Sequence, residues 1–357
     1  MSDQKYDVLA QPKNEMKFSY GGQAVIDGVM MRGAHIFAVA VRAPDGSIVV
    51  HEGKLNKTLY RGRIAKLPLI RGIVGLWDSL GLGTRALMWS ADIALQEPTP
   101  AIPVHDVPAD AVLVPGMVAV PAAGKAIDFN GPIGWATVSV SLLIGLGLFL
   151  VLPNAAATFV ASLIGVTSLL TINIIEGVIQ LGILIGYMWL IGLMPDTRRL
   201  FGYHGAEHKT INAYEAGAEL TPESVAQFPI EHPRCGTAFL LTVAFIGMFS
   251  FAIIDTVLGR SLITRIVFIP LIAGISYEVL RYTAKNIDKP LIRLLITPNL
   301  ALQHLTTRPP DLTMNEVAIV AFKRVLASEG IISPEEATIP APRPPQVAVP
   351  VPAVAGD

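Results

Sequence analysis

Three residues able to bind or activate a metal ion, His204, Glu207 and His208, stand in H-x-x-E-H spacing within Phe201-Gly-Tyr-His-Gly-Ala-Glu-His-Lys-Thr-Ile211. On a helix, His204 and His208 lie one turn apart on the same face with Glu207 beside them. Two imidazoles can then share a metal while a carboxylate polarises its water. The same face continues to Glu215, a further candidate ligand. A second pair follows in His232-Pro-Arg-Cys235, an imidazole and a thiol three residues apart before an apolar stretch. Two imidazoles from one element with His232 and Cys235 from another would fill a four-ligand zinc shell, and a closed shell is structural. If His232 or Cys235 stays outside, three protein ligands leave one position open. Glu207 is then placed to act as general base, and the metal lowers the pKa of its water to roughly 7. A plainer reading has these groups bonding backbone carbonyls or pairing with Arg198, Arg199 and Lys209, because a five-residue pattern also arises by chance.

The elements that must position these groups are set by composition. The 357 residues are 52% hydrophobic and only 15% charged, with a mean hydropathy of +0.53. That is more apolar surface than one soluble core needs, and the excess calls for lipid. A net charge of -1 gives no reason to expect nucleic acid as a partner, since its recognition rests on clustered Lys and Arg. The single cysteine, Cys235, cannot form an internal disulfide. The first sixteen residues, MSDQKYDVLAQPKNEM, lack the apolar run of a signal peptide, so no cleavage is expected there.

Length and scarcity of charge predict spans over 133–152, 171–194, 237–258 and 262–280. Residues 154–170 are apolar but short and follow Pro153, which leaves open a fifth crossing, a re-entrant hairpin or an interfacial helix. Pro270 is a predicted kink. Glu176 is a carboxylate inside the second span and therefore a functional candidate, with pairing across the bundle as its structural alternative. With four crossings, all but Arg260 and Arg265 of the 27 Lys and Arg residues fall on one side. The positive-inside rule makes that side, with both termini and the His204 loop, cytoplasmic. Glu278, Arg281 and His304 would share this side, and Glu278 is a further candidate ligand or base.

Before the first span, residues 18–60 alternate short β-prone runs with turn signals, and Ala38–Arg42 with Ser47–Val50 across Pro44-Asp-Gly46 reads as a hairpin. Residues 61–95 suit either an amphipathic helix at the membrane surface, with Trp77 and Trp89 at headgroup depth, or a packed soluble helix. Arg32 reads as a solvated surface residue. Residues 1–17 read as a flexible N-terminus, 96–130 as a Pro/Ala-rich linker and 334–357 as a disordered or polyproline tail. The fold expected is an α-helical integral membrane protein of four, or five, transmembrane helices. A small β-rich cytoplasmic module precedes them, and a bundle with C-terminal helices occupies 131–330.

The ordered series Gly21-Gly-Gln-Ala-Val-Ile-Asp-Gly-Val-Met-Met-Arg-Gly33, Tyr203-His-Gly-Ala-Glu-His-Lys209, His232-Pro-Arg-Cys-Gly-Thr237, Ile275-Ser-Tyr-Glu278, Gln303-His-Leu-Thr-Thr-Arg308 and Glu316-Val-Ala318 resembles the YqhQ-like bacterial membrane proteins over residues 18–330. Asp27 stands where that pattern usually carries Glu. The resemblance implies a domain of unknown function for which a metal-dependent enzyme has been suggested. Three functions follow as expectations. One is a zinc-dependent hydrolase at the membrane edge, with His204 and His208 as ligands, His232, Cys235 or Glu215 completing the shell and Glu207 as base. Another is a non-enzymatic scaffold with a structural zinc site. The third is a transporter working through Glu176. The bilayer is the partner implied in every case; protein partners are not readable.

Overall fold

The computed structural model describes residues 20–62, 67–96 and 132–340. The flexible N-terminus, the linker and most of the proline-rich tail read from sequence lie outside the described residues. Residues 334–340 do not extend away as expected: Ala337 is buried and Ile339 packs against the core beneath the sheet.

Strands β1 (Gly21–Val25), β2 (Gly28–Arg32), β3 (Ile36–Arg42) and β4 (Ile48–Lys54) form one antiparallel meander in the order β1-β2-β3-β4. The hairpin read from Pro44-Asp-Gly46 is present, with Val41 opposite Val49 and Gly46 at φ 85°. Alternation along β2 and β3 sends Val29, Met31, Ala38 and Ala40 to one face and Met30, Val39 and Val41 to the other. Both faces are therefore covered. After a short α1 (Lys57–Arg61), α2 (Ile70–Ala94) lays Leu82, Ala86 and Ile93 on the second face. The first face is closed by α11 (Leu312–Ser328) through Val317, Ala318, Ala321, Phe322 and Val325.

This packing bears on two expectations. Of the two readings of residues 61–95, Trp89 fits the packed helix, partly buried against the second sheet face beside His51, whereas Trp77 is exposed. Arg32 donates to Ser79 at 2.6 Å and to Tyr60 at 3.3 Å, so it ties β2 to α1 and α2 instead of facing solvent. At its other end α2 leaves the sheet and meets the membrane bundle: Gly72 lies against Tyr277, and Arg71 Nε donates to Glu278 at 2.8 Å.

Among the described residues, four helical segments are long and apolar enough to cross a membrane: Ser139–Leu163, α5 (Leu169–Ile191), α8 (Gly236–Leu258) and α9 (Leu262–Lys285). The first is one continuous rod made of α3 (Pro132–Leu146), a π-turn (Gly147–Val151) and α4 (Leu152–Leu163). The apolar residues after Pro153 are therefore the end of the first span, not a fifth crossing. Proline lacks the N–H that would meet the carbonyl of Phe149, and the helix widens there without breaking. Gln180 of α5 supplies the missing donor, its Nε2 reaching Phe149 O at 2.9 Å. Pro270 likewise lies inside α9 without ending it. Between the second and third crossings run α6 (Pro195–Glu215) and short α7 (Pro222–Val225), and α10 (Pro290–Leu302) follows the fourth. With an even number of spans, α6, α10, α11 and the sheet share one side.

Candidate metal centre

Helix α6 begins at Pro195, directly after α5, and its low hydropathy is offset by burial between the sheet, α11 and the loop that follows. His208 is 1% exposed, Glu207 4% and Cys235 3%, while the His204 side chain retains 13%. Polar groups buried this deeply need partners, and those of α6 find them in a strap of chain, residues 226–235. Lys209 Nζ donates to Ala226 O at 2.7 Å and also to Phe228 O. Asn212 Nδ2 donates to Pro229 O at 2.9 Å and to Glu231 O at 3.0 Å. The Nδ1 of His208 meets Ile230 O at 2.5 Å. One face of α6 thus reads five carbonyls of the strap. At the far end Gln303 pins His232 from both sides, accepting its N–H at 3.0 Å and donating to its carbonyl at 2.9 Å.

That clamp delivers Cys235 to the N-cap of α8, facing α6. One ligand atom from each of His204, His208 and Cys235 falls within 4.8 Å of the others. His204 Nδ1 meets Thr306 O at 2.8 Å, so a proton on Nδ1 leaves Nε2 as the inward lone pair, as Ile230 O does for His208. His204 Nε2 lies 3.4 Å from Cys235 Sγ. Zinc bonds of roughly 2.0 Å to nitrogen and 2.3 Å to sulfur at a tetrahedral angle would separate the two atoms by about 3.5 Å. His208 Nε2 is buried with no partner at hydrogen-bond geometry among the described residues. An orphaned nitrogen costs free energy unless something fills the space before it. The donor set therefore fits a divalent cation.

Glu207 stands just outside this trio. Its Oε2 is 3.9 Å from His204 Nε2 and 3.8 Å from His208 Nε2, and the Gly22 amide of β1 donates to its carboxylate. Gly22 must be glycine here, since a Cβ would lie 2.9 Å from Glu207 Cγ. Burial pushes the Glu207 carboxyl above its usual range, opposed by His208 and His204. Burial would raise the Cys235 thiol, but the two imidazoles outweigh it and hold the thiol well below its usual value, towards the thiolate that binds metals. For His204 burial acts downwards, yet Cys235, Glu207 and the Thr306 carbonyl together push it up to about 9.

The remaining candidates lie elsewhere. His232 stacks near His208 at 5.5 Å between ring centroids, but its Nε2 sits 3.4 Å from the Arg234 guanidinium, and burial followed by Arg234 holds it well below its usual value. It is a neighbour of the trio, not a member, so the four-ligand shell expected from sequence is not formed. Glu215 pairs with Arg234. Glu278 pairs with Arg71, not with Arg281 or Arg198. His304 meets Glu231 at 2.8 Å. Glu176 is at the other end of the bundle, paired with Arg260 and Arg265, the latter also 2.7 Å from Asp255. Sequence reasoning missed Gly22, Asn212, Gln303 and Thr306 as positioning residues and did not give Lys209 that role. For Gly22, Gln303, Thr306 and Lys209 the advance signal was membership in the quoted motifs, and Asn212 lies outside them.

A membrane protein with four apolar helices and a sheet-and-helix domain that encloses a His/Cys cluster is the class this fold defines. The chain belongs to the family described as protein of unknown function DUF1385, whose profile matches residues 67–328. It is also 34% identical over 329 residues to the uncharacterized protein YqhQ of Bacillus subtilis (strain 168), covering 89% of this chain and 96% of the relative. No solved structure matches the chain.

Proposed function

We propose that this protein is a metal-dependent hydrolase of the bacterial inner membrane, with one zinc ion held by His204, His208 and Cys235 and with Glu207 as general base. The observation that carries the reading is the orphaned His208 Nε2, buried within 4.8 Å of two other ligand atoms whose supporting bonds are already made. Three protein ligands would leave the fourth tetrahedral position to water, and the Glu207 carboxylate, 3.9 Å from His204 Nε2 and 3.8 Å from His208 Nε2, stands beside the trio within reach of that water. Zinc there would supply Lewis acidity. Glu207, with its carboxyl raised by burial, would take the proton from the attacking water and return it to the leaving group. The charge distribution supports a cytoplasmic location for the site and both termini.

Metal analysis of detergent-purified protein tests the reading. Wild type should carry about one zinc equivalent, His204→Ala, His208→Ala and Cys235→Ser should lose it, and Glu207→Gln should keep it while losing hydrolysis. Freshly purified wild type without stoichiometric metal would overturn the proposal. A second reading, a structural zinc in a scaffold protein, draws on the burial of His208, Cys235 and Glu207 under β1. In that case Glu207→Gln is silent and Cys235→Ser destabilises the fold. The transporter reading is weakened by the two arginines that neutralise Glu176.

A further inference from the structure

We infer that the protein binds a phosphate-bearing headgroup, that of an anionic phospholipid, in a cleft on the side of the bundle that carries the sheet. The cleft encloses about 550 Å³ between the start of α6 and the chain leading into α11, and its walls include Leu193, Arg198, Arg199, Arg308, Asp311 and Met314. It does not depend on the metal centre. Along α6, Arg198, Arg199 and Gly202 face roughly opposite to His204, Glu207 and His208, as their spacing on a helix dictates.

Three observations favour an anion. Arg198 has no ion-pair partner among the described residues, and Arg308 spends its guanidinium on the carbonyls of His304 and Thr307, so its charge is unneutralised there. Arg199 alone is paired, with Asp27. With Arg199 neutralised by Asp27, the two remaining arginine charges face one carboxylate of the cleft wall, that of Asp311, which caps α11 by accepting from Met314 N at 2.8 Å. Arginine presents a planar fork of donors that suits phosphate oxygens, and a local excess of positive charge attracts anionic headgroups.

Depth favours a lipid as the source. Helix α5 ends at Ile191, and Leu193, which lines the cleft, is exposed in a row with Trp189, Leu190 and Met194. On the other side the chain reaches Arg308 directly from α10, whose Leu291, Leu294 and Leu295 are exposed while Ile292, Ile296 and Leu300 are buried. The exposed leucines give α10 an apolar face open to lipid beside the spans. Both walls of the cleft thus rise from bilayer depth. A phosphate on the arginines would leave the acyl chains along the exposed apolar face of α5.

Native mass spectrometry of the full-length protein can read lipid retention, using phosphatidylglycerol, phosphatidylcholine and, as a soluble source of the same chemistry, glycerol 1-phosphate. Phosphatidylglycerol should be retained in preference to phosphatidylcholine, and Arg198→Gln and Arg308→Gln should each lower that preference about five-fold, the effect of one basic residue near an anionic membrane surface. Lys285→Gln, which removes a basic residue of the same side outside the cleft, should leave it unchanged. An unchanged unfolding temperature would show the variants folded. Arg198→Lys, which keeps charge without the fork, should lose less than Arg198→Gln. If the preference survives in the Arg198 and Arg308 variants, or falls equally in Lys285→Gln, the cleft is not the site. Arginine-dependent binding of glycerol 1-phosphate without any phosphatidylglycerol preference would overturn the lipid and assign the cleft to a soluble phosphate ester.

Discussion

At the scale of single residues, the centre is held by bonds that run from side chain to backbone. Gln303 is the clearest case, because one amide closes both polar groups of His232. Replacing it with leucine leaves a buried N–H and a buried carbonyl unpaired, at about 1–3 kcal/mol for each group. Gln303→Leu should therefore lower the unfolding temperature measurably, and it should weaken zinc binding because Cys235 is positioned through this clamp. Acid should release the metal, since imidazole and thiol bind it only when deprotonated, so a zinc titration should give higher affinity as pH rises. A pH-independent affinity would count against His204, His208 and Cys235 as ligands. The H-x-x-E-H spacing and the nearby cysteine were legible from sequence because helical periodicity alone brings them to one face. The demotion of His232 was not, since it depends on where the Arg234 guanidinium falls, and a three-residue spacing says nothing of that.

At the scale of elements, the apolar helices were readable and their ends less so. A proline after twenty apolar residues looks like the close of a span, but Pro153 is absorbed by a π-turn and by Gln180, a donor thirty-one positions away from Phe149 that no local pattern connects to it. Gln180→Leu should cost roughly 1 kcal/mol, as expected of an interhelical hydrogen bond in a membrane, read as a shift in unfolding by denaturant in detergent. The network of Glu176, Arg260, Arg265, Asn173 and Asp255 binds α4, α5, α8 and α9 at the end of the bundle away from the sheet. Breaking it with Arg265→Leu strands a buried carboxylate and should cost about 3–5 kcal/mol by the same measurement. Stability close to wild type in that variant would restore the case for Glu176 as a working carboxylate. The β meander was legible through its turns, whereas the choice of α2 over the bilayer as its cover required knowing that the second sheet face is also apolar.

At the scale of the whole molecule, the centre is a junction. His204 and His208 come from α6, Cys235 from the start of α8, the carbonyl behind His204 from Thr306 and the amide on Glu207 from Gly22. Chelation of the metal should therefore loosen parts far apart in sequence together. Hydrogen exchange should rise in the strap 226–235, around Thr306 and in β1, with little change in the four apolar helices. A rise confined to α6 would contradict this. The side of the membrane is testable as well: Cys235 should react with a permeant thiol reagent after unfolding, and reaction with an impermeant one from outside intact cells would contradict a cytoplasmic centre.

The closing of one sheet face by α11 has a consequence in time. The strands occupy residues 21–54, and the helix that covers Val29, Met31, Ala38 and Ala40 begins only at Leu312. Synthesis runs from the N-terminus, so all four apolar helices leave the ribosome before that cover exists. During membrane insertion the first-made part of the protein must wait with an apolar face open, and its assembly ends when the chain is almost finished. A chain stopped after Asp311 should still insert its spans but be cleared by proteolysis, and restoring residues 312–340 as a separate peptide should protect it.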